Sequence, residues 1–221
     1  MEIVWYGHSC FRFMERGMAS IVTDPFDNEV VGFDPLKLKA DIVTISHDAP
    51  GHNFASAVKG TSHKLAGPGE FEIGGVFITG VMTEQGKKNG NGVKNILYHF
   101  DYDGLTVAHL GDMNQVPSQS EIEDLGNVNI ALVPVGGGNG LTASKAAEVI
   151  SMLEPNIIIP MHYSLPGSKL QLDPLTKFLK EMGLGEVEAL PSLKVTRSNL
   201  GEDTRVVVLE AARNGAGKEE A

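Results

Sequence analysis

The sequence predicts an α/β protein whose sheets are sandwiched between helices. Two observations carry this expectation. The first half of the 221 residues reads as short strands broken by tight turns, and the second half alternates strands with amphipathic helical stretches. A third observation bounds it: with 42% hydrophobic and 21% charged residues, the chain has the composition of a soluble globular protein with a sizeable core. Residues 1–210 are read as a single domain, and 211–221, small and polar, as a frayed tail.

From the N-terminus, Ile3 to Tyr6, Cys10 to Phe13 and Ala19 to Thr23 are three strands with short turns, the last stopped by Asp24-Pro25. Residues 26–39 read as a loop. Ala40 to Ile45 is an apolar, buried strand that delivers the polar turn Ser46–Asn53. A short helix is expected from Asn53 as N-cap to about Gly60. A β-rich block follows from His63 to Thr106, with Val76–Thr79, Asn95–Phe100 and Leu105–Ala108 as strands and Asp103-Gly104 as a hairpin turn. Then come a strand at Val128–Val135, a helix at Thr142–Leu153, a strand at Asn156–Pro160 and a helix at Leu172–Met182. Edge strands are expected near Val187–Ala189 and Arg205–Leu209.

Charge and cysteine content exclude several functions. A formal net charge of -10 repels nucleic acid and anionic membrane surfaces. One basic stretch, Lys87 to Lys94, is open to two readings, a solvated loop or a phosphate grip. Cys10 is alone, so the chain has no intrachain disulfide and no paired-cysteine metal site, which fits a reducing cytoplasm. Beside Phe11 in a strand, it reads as a small buried hydrophobe and not a nucleophile. The N-terminus does not have the pattern of a signal peptide, and no apolar run reaches the ~18 residues of a membrane helix. A cytoplasmic protein acting on a small molecule is the expectation.

Histidines and aspartates stand at the ends of apolar runs: His8, Asp24, His47, His52, His109, Asp112 and His162. Loops at strand ends are where α/β proteins place their chemistry, and convergence of these segments would make a metal site. Each residue also has a plainer reading. Pro50-Gly51 is a turn dipeptide, so His47 and His52 can be two satisfied histidines of a tight turn. Asp112 after Gly111 can cap the segment that follows it. His109 lies three residues before Asp112, so the two share a face only if the strand ends near Gly111. His63 and His99 receive no role.

The segments Gly7-His8-Ser9-Cys10-Phe11, Thr23-Asp24-Pro25-Phe26, Gly67-Pro68-Gly69-Glu70, His109-Leu110-Gly111-Asp112, Pro134-Val135-Gly136-Gly137 and Ile159-Pro160-Met161-His162-Tyr163 occur in this order. Together they resemble the metallo-β-lactamase superfamily, in particular small metal-dependent hydrolases similar to L-ascorbate-6-phosphate lactonase. The resemblance implies a four-layer αββα sandwich with the active site at one edge, between the sheets. It also implies a tendency to form homo-oligomers. The Gly136–Gly140 loop before Thr142 then becomes a loop at the site rim; alone it resembles a phosphate cradle.

The family motif His-x-His-x-Asp-His is incomplete here. His47 and His52 keep its first and last positions, but the second histidine is Ala49 and the aspartate is Gly51. The next histidine of the family falls at Gln85. Asp112 matches the carboxylate that bridges two ions, and His162 matches the final histidine. The resemblance thus leaves the first ion with few ligands. The second retains His52, Asp112 and His162, with His47 close enough to join, and His8, Asp24 and His109 as catalytic candidates around it. Two imidazoles and a carboxylate suffice for one Zn²⁺, Mn²⁺ or Fe²⁺. Such an ion lowers the pKa of a bound water to about 7. Two readings stay open: a hydrolase with one metal acting on a lactone, ester or phosphoester, or a catalytically inactive pseudoenzyme that binds a small molecule or a protein partner.

Overall fold

Alternation along the first strands already defines an inside. In β1 (Glu2–Trp5) Ile3 and Trp5 are fully buried between half-buried neighbours, and in β2 (Phe11–Met14) Phe11 and Phe13 are buried in the same way. The computed structural model describes residues 1–84 and 94–212. With β3 (Ile21–Thr23), β4 (Ile42–Thr44) and β5 (His63–Leu65) these strands form the first sheet. The second sheet begins with the antiparallel meander β6 (Gly69–Ile73), β7 (Val76–Glu84), β8 (Lys94–Tyr102) and β9 (Leu105–His109). It continues with β10 (Ile130–Pro134) and β11 (Ile157–Met161), both parallel to β9. Late in the chain, β12 (Leu193–Lys194) returns to the first sheet beside β1, and β13 (Arg205–Val206) closes the edge of the second. The spatial orders are β12-β1-β2-β3-β4-β5 and β13-β11-β10-β9-β8-β7-β6.

The sheets pack face to face through one hydrophobic core that includes Trp5, Phe11, Phe13 and Ile42 from the first and Ile78, Leu97, Phe100 and Val107 from the second. Phe13 meets Phe100 edge to face with ring centroids 5.3 Å apart. Two buried tyrosines of β8 cross the interface, Tyr98 donating to the carbonyl of Ile45 at 3.3 Å and Tyr102 to that of Ala19 at 3.1 Å.

Each sheet has a second covered face. On the second sheet lie α2 (Gln119–Leu125), α3 (Ala143–Leu153) and α4 (Leu175–Glu181), which follow α1 (Asn28–Val31) in the chain. Helix α3 turns Ala146, Val149, Ile150 and Leu153 inward against β10, with α2 and α4 beside it. The outer face of the first sheet buries Cys10, Val22, Val43 and Ile45 under Phe26, Val31 and Leu38. That layer is thin, made of the single turn α1 and loops. The result is the αββα arrangement expected from the sequence.

Three local expectations are corrected. The helix expected from Asn53 is one 3₁₀ turn, Ala55–Ala57, because the Asn53 side chain donates to Asp48 Oδ1 at 2.5 Å and caps nothing. Residues 26–39 contain α1, capped by Asp27 accepting from the Glu29 N–H. Helix α2 is an addition to the expected elements, although Ser118 and Glu121 form a complete capping box. Thr142 caps α3 as expected, and the Asp103-Gly104 turn joins β8 to β9 with both residues at positive φ. Gln85, the basic stretch apart from Lys94, and the tail from residue 213 lie outside the described residues. Among the described residues, no helix is long and apolar enough to cross a membrane.

Candidate metal centre

The sequence-predicted residues follow the ends of strands that share a direction within each sheet. In the first, β1, β3 and β4 lead to His8, to Asp24, and to Ser46 and His47. In the second, β9 leads to Asp112 and β11 to His162. Three of the five non-glycine residues with positive φ among the described residues are here: His8 (φ 51°), Asp24 (φ 38°) and His162 (φ 54°). At each the strand breaks off in the left-handed region, a costly geometry for residues with a Cβ and one that concentrates at functional sites.

Asp24 organises the histidines. Its buried carboxylate accepts from the Ser46 N–H at 2.7 Å and the Ser46 hydroxyl at 2.5 Å, and lies 2.8 Å from His52 Nδ1. Burial raises its pKa, but the hydrogen bond from His52 and the electrostatic influence of the His109 and His52 rings outweigh this and hold it below the ordinary value. An ionised Asp24 assigns the His52 proton to Nδ1 and leaves Nε2 a bare lone pair. The Ser46 hydroxyl, having donated to Asp24, accepts from His47 Nδ1 at 3.0 Å, which likewise leaves His47 Nε2 bare. One carboxylate thus sets two tautomers.

Around these, His8 Nε2 lies 3.0 Å from His52 Nε2, and His162 Nε2 lies 3.3 Å from Asp112 Oδ1. The ligand atoms of His8, His52 and His162 lie within 4.8 Å of one another, as do those of His47, His52 and Asp112. The rings of His8 and His162 have centroids 4.3 Å apart, and those of His47 and His52 4.1 Å. Burial lowers the pKa of His8 far below its usual value and that of His162 to about 4, the latter against the pull of Asp112. Burial also lowers His47, with the electrostatic influence of the neighbouring His52 ring adding to it. Neutral imidazoles crowded with a carboxylate are a donor set suited to a divalent cation.

Two neighbours were not anticipated. Asn95, at the start of β8, accepts the Asp112 N–H at 3.0 Å and donates to the Leu110 carbonyl at 3.1 Å, fixing the turn that presents Asp112. Gly111 makes this possible: a Cβ there would fall 2.3 Å from Asn95 Oδ1, at a φ of 61°. Ser46 is the other. Neither carries a sequence signal beyond its place beside a strand.

His109 stands apart from both clusters. Its Nε2 donates to the Ser9 carbonyl at 3.0 Å, and its Nδ1 accepts the Gly111 N–H at 3.2 Å, so both nitrogens are used by backbone. The strand ends at His109 itself, two residues before Gly111. The glycine loop does flank the site: a Cβ at Gly140 would lie 2.8 Å from Asp112 Oδ1 and 3.4 Å from His162 Nδ1. His63 is exposed on β5, and His99 bonds the Asn127 carbonyl at 3.1 Å; both lie outside the clusters.

A family model described as a beta-lactamase superfamily domain matches residues 2–162, from β1 through the last histidine of the cluster. The chain belongs to the metallo-β-lactamase superfamily. A UPF0173 protein of Pyrococcus furiosus is 28% identical over 211 residues, covering 82% of this chain and 90% of its own length. A protein of Thermoplasma acidophilum named as a metal-dependent hydrolase is 27% identical over 189 residues, covering 74% and 84%. A crystal structure from Thermotoga maritima, assigned to the metallo-β-lactamase superfamily, superimposes with a TM-score of 0.76 at 35% identity, covering 94% of this chain and 97% of that one.

Proposed function

We propose that this protein is a metal-dependent hydrolase with a single divalent ion, held by His52, Asp112 and His162, that opens a lactone, ester or phosphoester with water. The observation that carries the reading is the Asp24–His52 pair, 2.8 Å apart, aiming a bare Nε2 into a cluster of neutral histidines beside a carboxylate. The names of the relatives agree: the Thermoplasma protein is called a metal-dependent hydrolase, and the Thermotoga protein a candidate zinc-dependent one.

The residues favour one ion over two. Ala49 places a methyl group where the family's first ion takes an imidazole, and a methyl group cannot coordinate. Zn²⁺ fits the nitrogen-rich set, with Mn²⁺ or Fe²⁺ as alternatives. When bound, the ion supplies Lewis acidity and a water of lowered pKa. The chain supplies the rest. Asp24 holds the His52 ring in one tautomer, and Asn95 holds Asp112. His47, the only partly exposed imidazole of the cluster, offers Nε2 as acceptor for a proton from the attacking water.

A cavity of about 430 Å³, large enough for a small molecule, is lined by Tyr6, Phe33 and Leu165 to Gly167 among others. It adjoins the segments that carry His8 and His162 without including either residue, so it is a candidate for the part of a substrate remote from the reacting bond.

The test is metal content of the protein purified without chelator, beside His162→Ala. About one equivalent per chain, lost in the variant, supports the reading. No uptake by either protein after incubation with Zn²⁺, Mn²⁺ and Fe²⁺ removes it. Metal uptake without turnover of lactones, esters or phosphoesters favours the binding-protein alternative, which the missing ligand at Ala49 also suggests.

A further inference from the structure

We propose that the remote part of the substrate is an uncharged apolar group seated in the cavity of about 430 Å³ against Tyr6, Phe33, Leu36 and Leu165, and that the exposed carboxylates of Asp34 and Glu210 turn anionic groups away from it. This deepens, and rests on, the reading of a metal-dependent hydrolase given above.

The cavity is held open by backbone contacts. The Lys169 N–H donates to the Val31 carbonyl at 2.9 Å, which pins the loop after β11 to the end of α1. The Ala212 N–H donates to the Trp5 carbonyl at 2.8 Å, which pins the last lining stretch beside Tyr6. Phe33 meets Phe26 edge to face, with ring centroids 5.7 Å apart. A Cβ at Gly7 would fall 2.8 Å from the Phe33 ring, and one at Gly32 would fall 2.5 Å from the Gly167 carbonyl oxygen, both at positive φ. Glycine at these two places lets the lining segments approach one another. Walls tied in this way exist before a ligand arrives, as in preformed small-molecule sites.

The cavity is also close to the histidines. Tyr6 is two residues from His8, and Leu165 is three from His162. At 3.8 Å for each step between Cα atoms, these separations are at most about 8 Å and about 11 Å. Phe33 lies against Gly7, the residue before His8. A molecule held at the cluster therefore needs only a short chain to reach the cavity.

Its lining sets the chemistry of that chain. Two aromatic rings, Leu36, Leu165 and Pro166 offer apolar surface. Among the described lining residues there is no lysine, arginine or histidine, and the acidic ones are Asp34 and Glu210. The Arg12 guanidinium acts on Tyr6 electrostatically but does not line the cavity. A carboxylate or phosphate entering here would give up water, meet two like charges and find no cation in the lining. An alkyl or aryl group gains by leaving water.

The experiment uses zinc-loaded protein and the p-nitrophenyl esters of acetic, butyric, hexanoic and octanoic acid, with the mono-p-nitrophenyl ester of adipic acid as the anionic counterpart of the hexanoyl ester. kcat/KM is expected to rise about threefold to fourfold for each methylene that enters the cavity, mainly through KM. The far-end carboxylate of the adipyl ester should abolish that gain. Reversing the exposed charges, Asp34→Lys with Glu210→Lys, should shift the adipyl-to-hexanoyl ratio of kcat/KM upward by about twofold to fivefold for each charge. A flat chain-length series, or an unshifted ratio in the charge-reversed variant, overturns the proposal. Methyl NMR titration with 1-octanol and with octanoate reads the cavity without turnover. Saturable shifts at Leu36 and Leu165, weaker with octanoate, support the proposal even where no ester is hydrolysed, in which case the hydrolase reading alone fails. Absence of such shifts with 1-octanol overturns the cavity assignment and leaves the hydrolase reading standing.

Discussion

The N–H of His162 donates to the carbonyl of His8 at 3.1 Å, joining the residue that follows β11 in the second sheet to one that follows β1 in the first. Both residues have left-handed backbones. The site is thus built where two sheets stop, with the strain on each side held by the other.

Asp24→Asn tests the tautomer argument. Asparagine tolerates the left-handed backbone at 24, so the turn should persist. Its amide N–H₂, turned toward His52, should drive the proton to Nε2 and block the lone pair. Zinc affinity is expected to fall about 10–100-fold while the thermal transition stays cooperative. Unchanged affinity would show that Asp24 does not set the ring.

Acid should destabilise the metal-free protein. The folded-state pKa of His162 is about 4 against an ordinary 6.5, so between those values the unfolded chain binds the extra proton. Stability is then complete above about pH 6.5 and falls as the pH drops toward 4, by on the order of 3 kcal/mol from this residue. His8 and His47, also lowered by burial, act in the same direction. Asp24, held below its ordinary value, adds a loss at still lower pH, where its carboxylate is protonated. Urea unfolding at pH 7.5 and 4.5, on the wild type and on His162→Asn, reads the effect. An equal pH dependence in the two would sink the assignment.

Two glycines beside Asp112 should respond differently to alanine. At Gly140 the added methyl would press on Asp112 Oδ1 from 2.8 Å, so metal affinity should drop with little loss of stability. At Gly111 it would meet Asn95 Oδ1 at 2.3 Å and Ser46 Cβ at 2.7 Å, on a positive-φ backbone. That variant should lose about 2–4 kcal/mol or fail to fold. Chemical denaturation and zinc titration of both variants separate the two effects.

Cys10 should be inert. It is fully buried on the outer face of the first sheet, and burial, aided by the charge of Asp24, pushes its thiol pKa well up. A thiol reagent such as DTNB should label the native protein only at the rate of unfolding. Fast labelling at neutral pH would contradict the packing described.

Much of this is legible in the amino-acid sequence itself. The strands carrying His8, Asp24, His47 and His162 are bounded by turn residues, and their alternation or apolar character names the buried faces. Helix α3 is announced by Thr142 and its apolar spacing. What occupies the space beside Gly51 cannot be read that way, since no local pattern states that a side chain from residue 8 comes to lie there. Asn95 is invisible for the same reason: its hydrogen bonds to Asp112 and Leu110 exist only once β8 is docked beside β9. The expected Asn53 helix does not form because a side chain that can cap a helix also has Asp48 within reach.

Because the clustered histidines come from both ends of the family-matched region, the cluster has a temporal meaning. No fragment ending before β11 contains His162, and none beginning after β1 and its following turn contains His8. Secondary structure can therefore return in refolding before any tight cation site exists, with the long-range pairing of the two sheets as the slow step. In stopped-flow refolding with Co²⁺ present, colour should appear after the far-ultraviolet signal has recovered. The ion then acts as a clock for the last event of folding, the closure of one sheet upon the other.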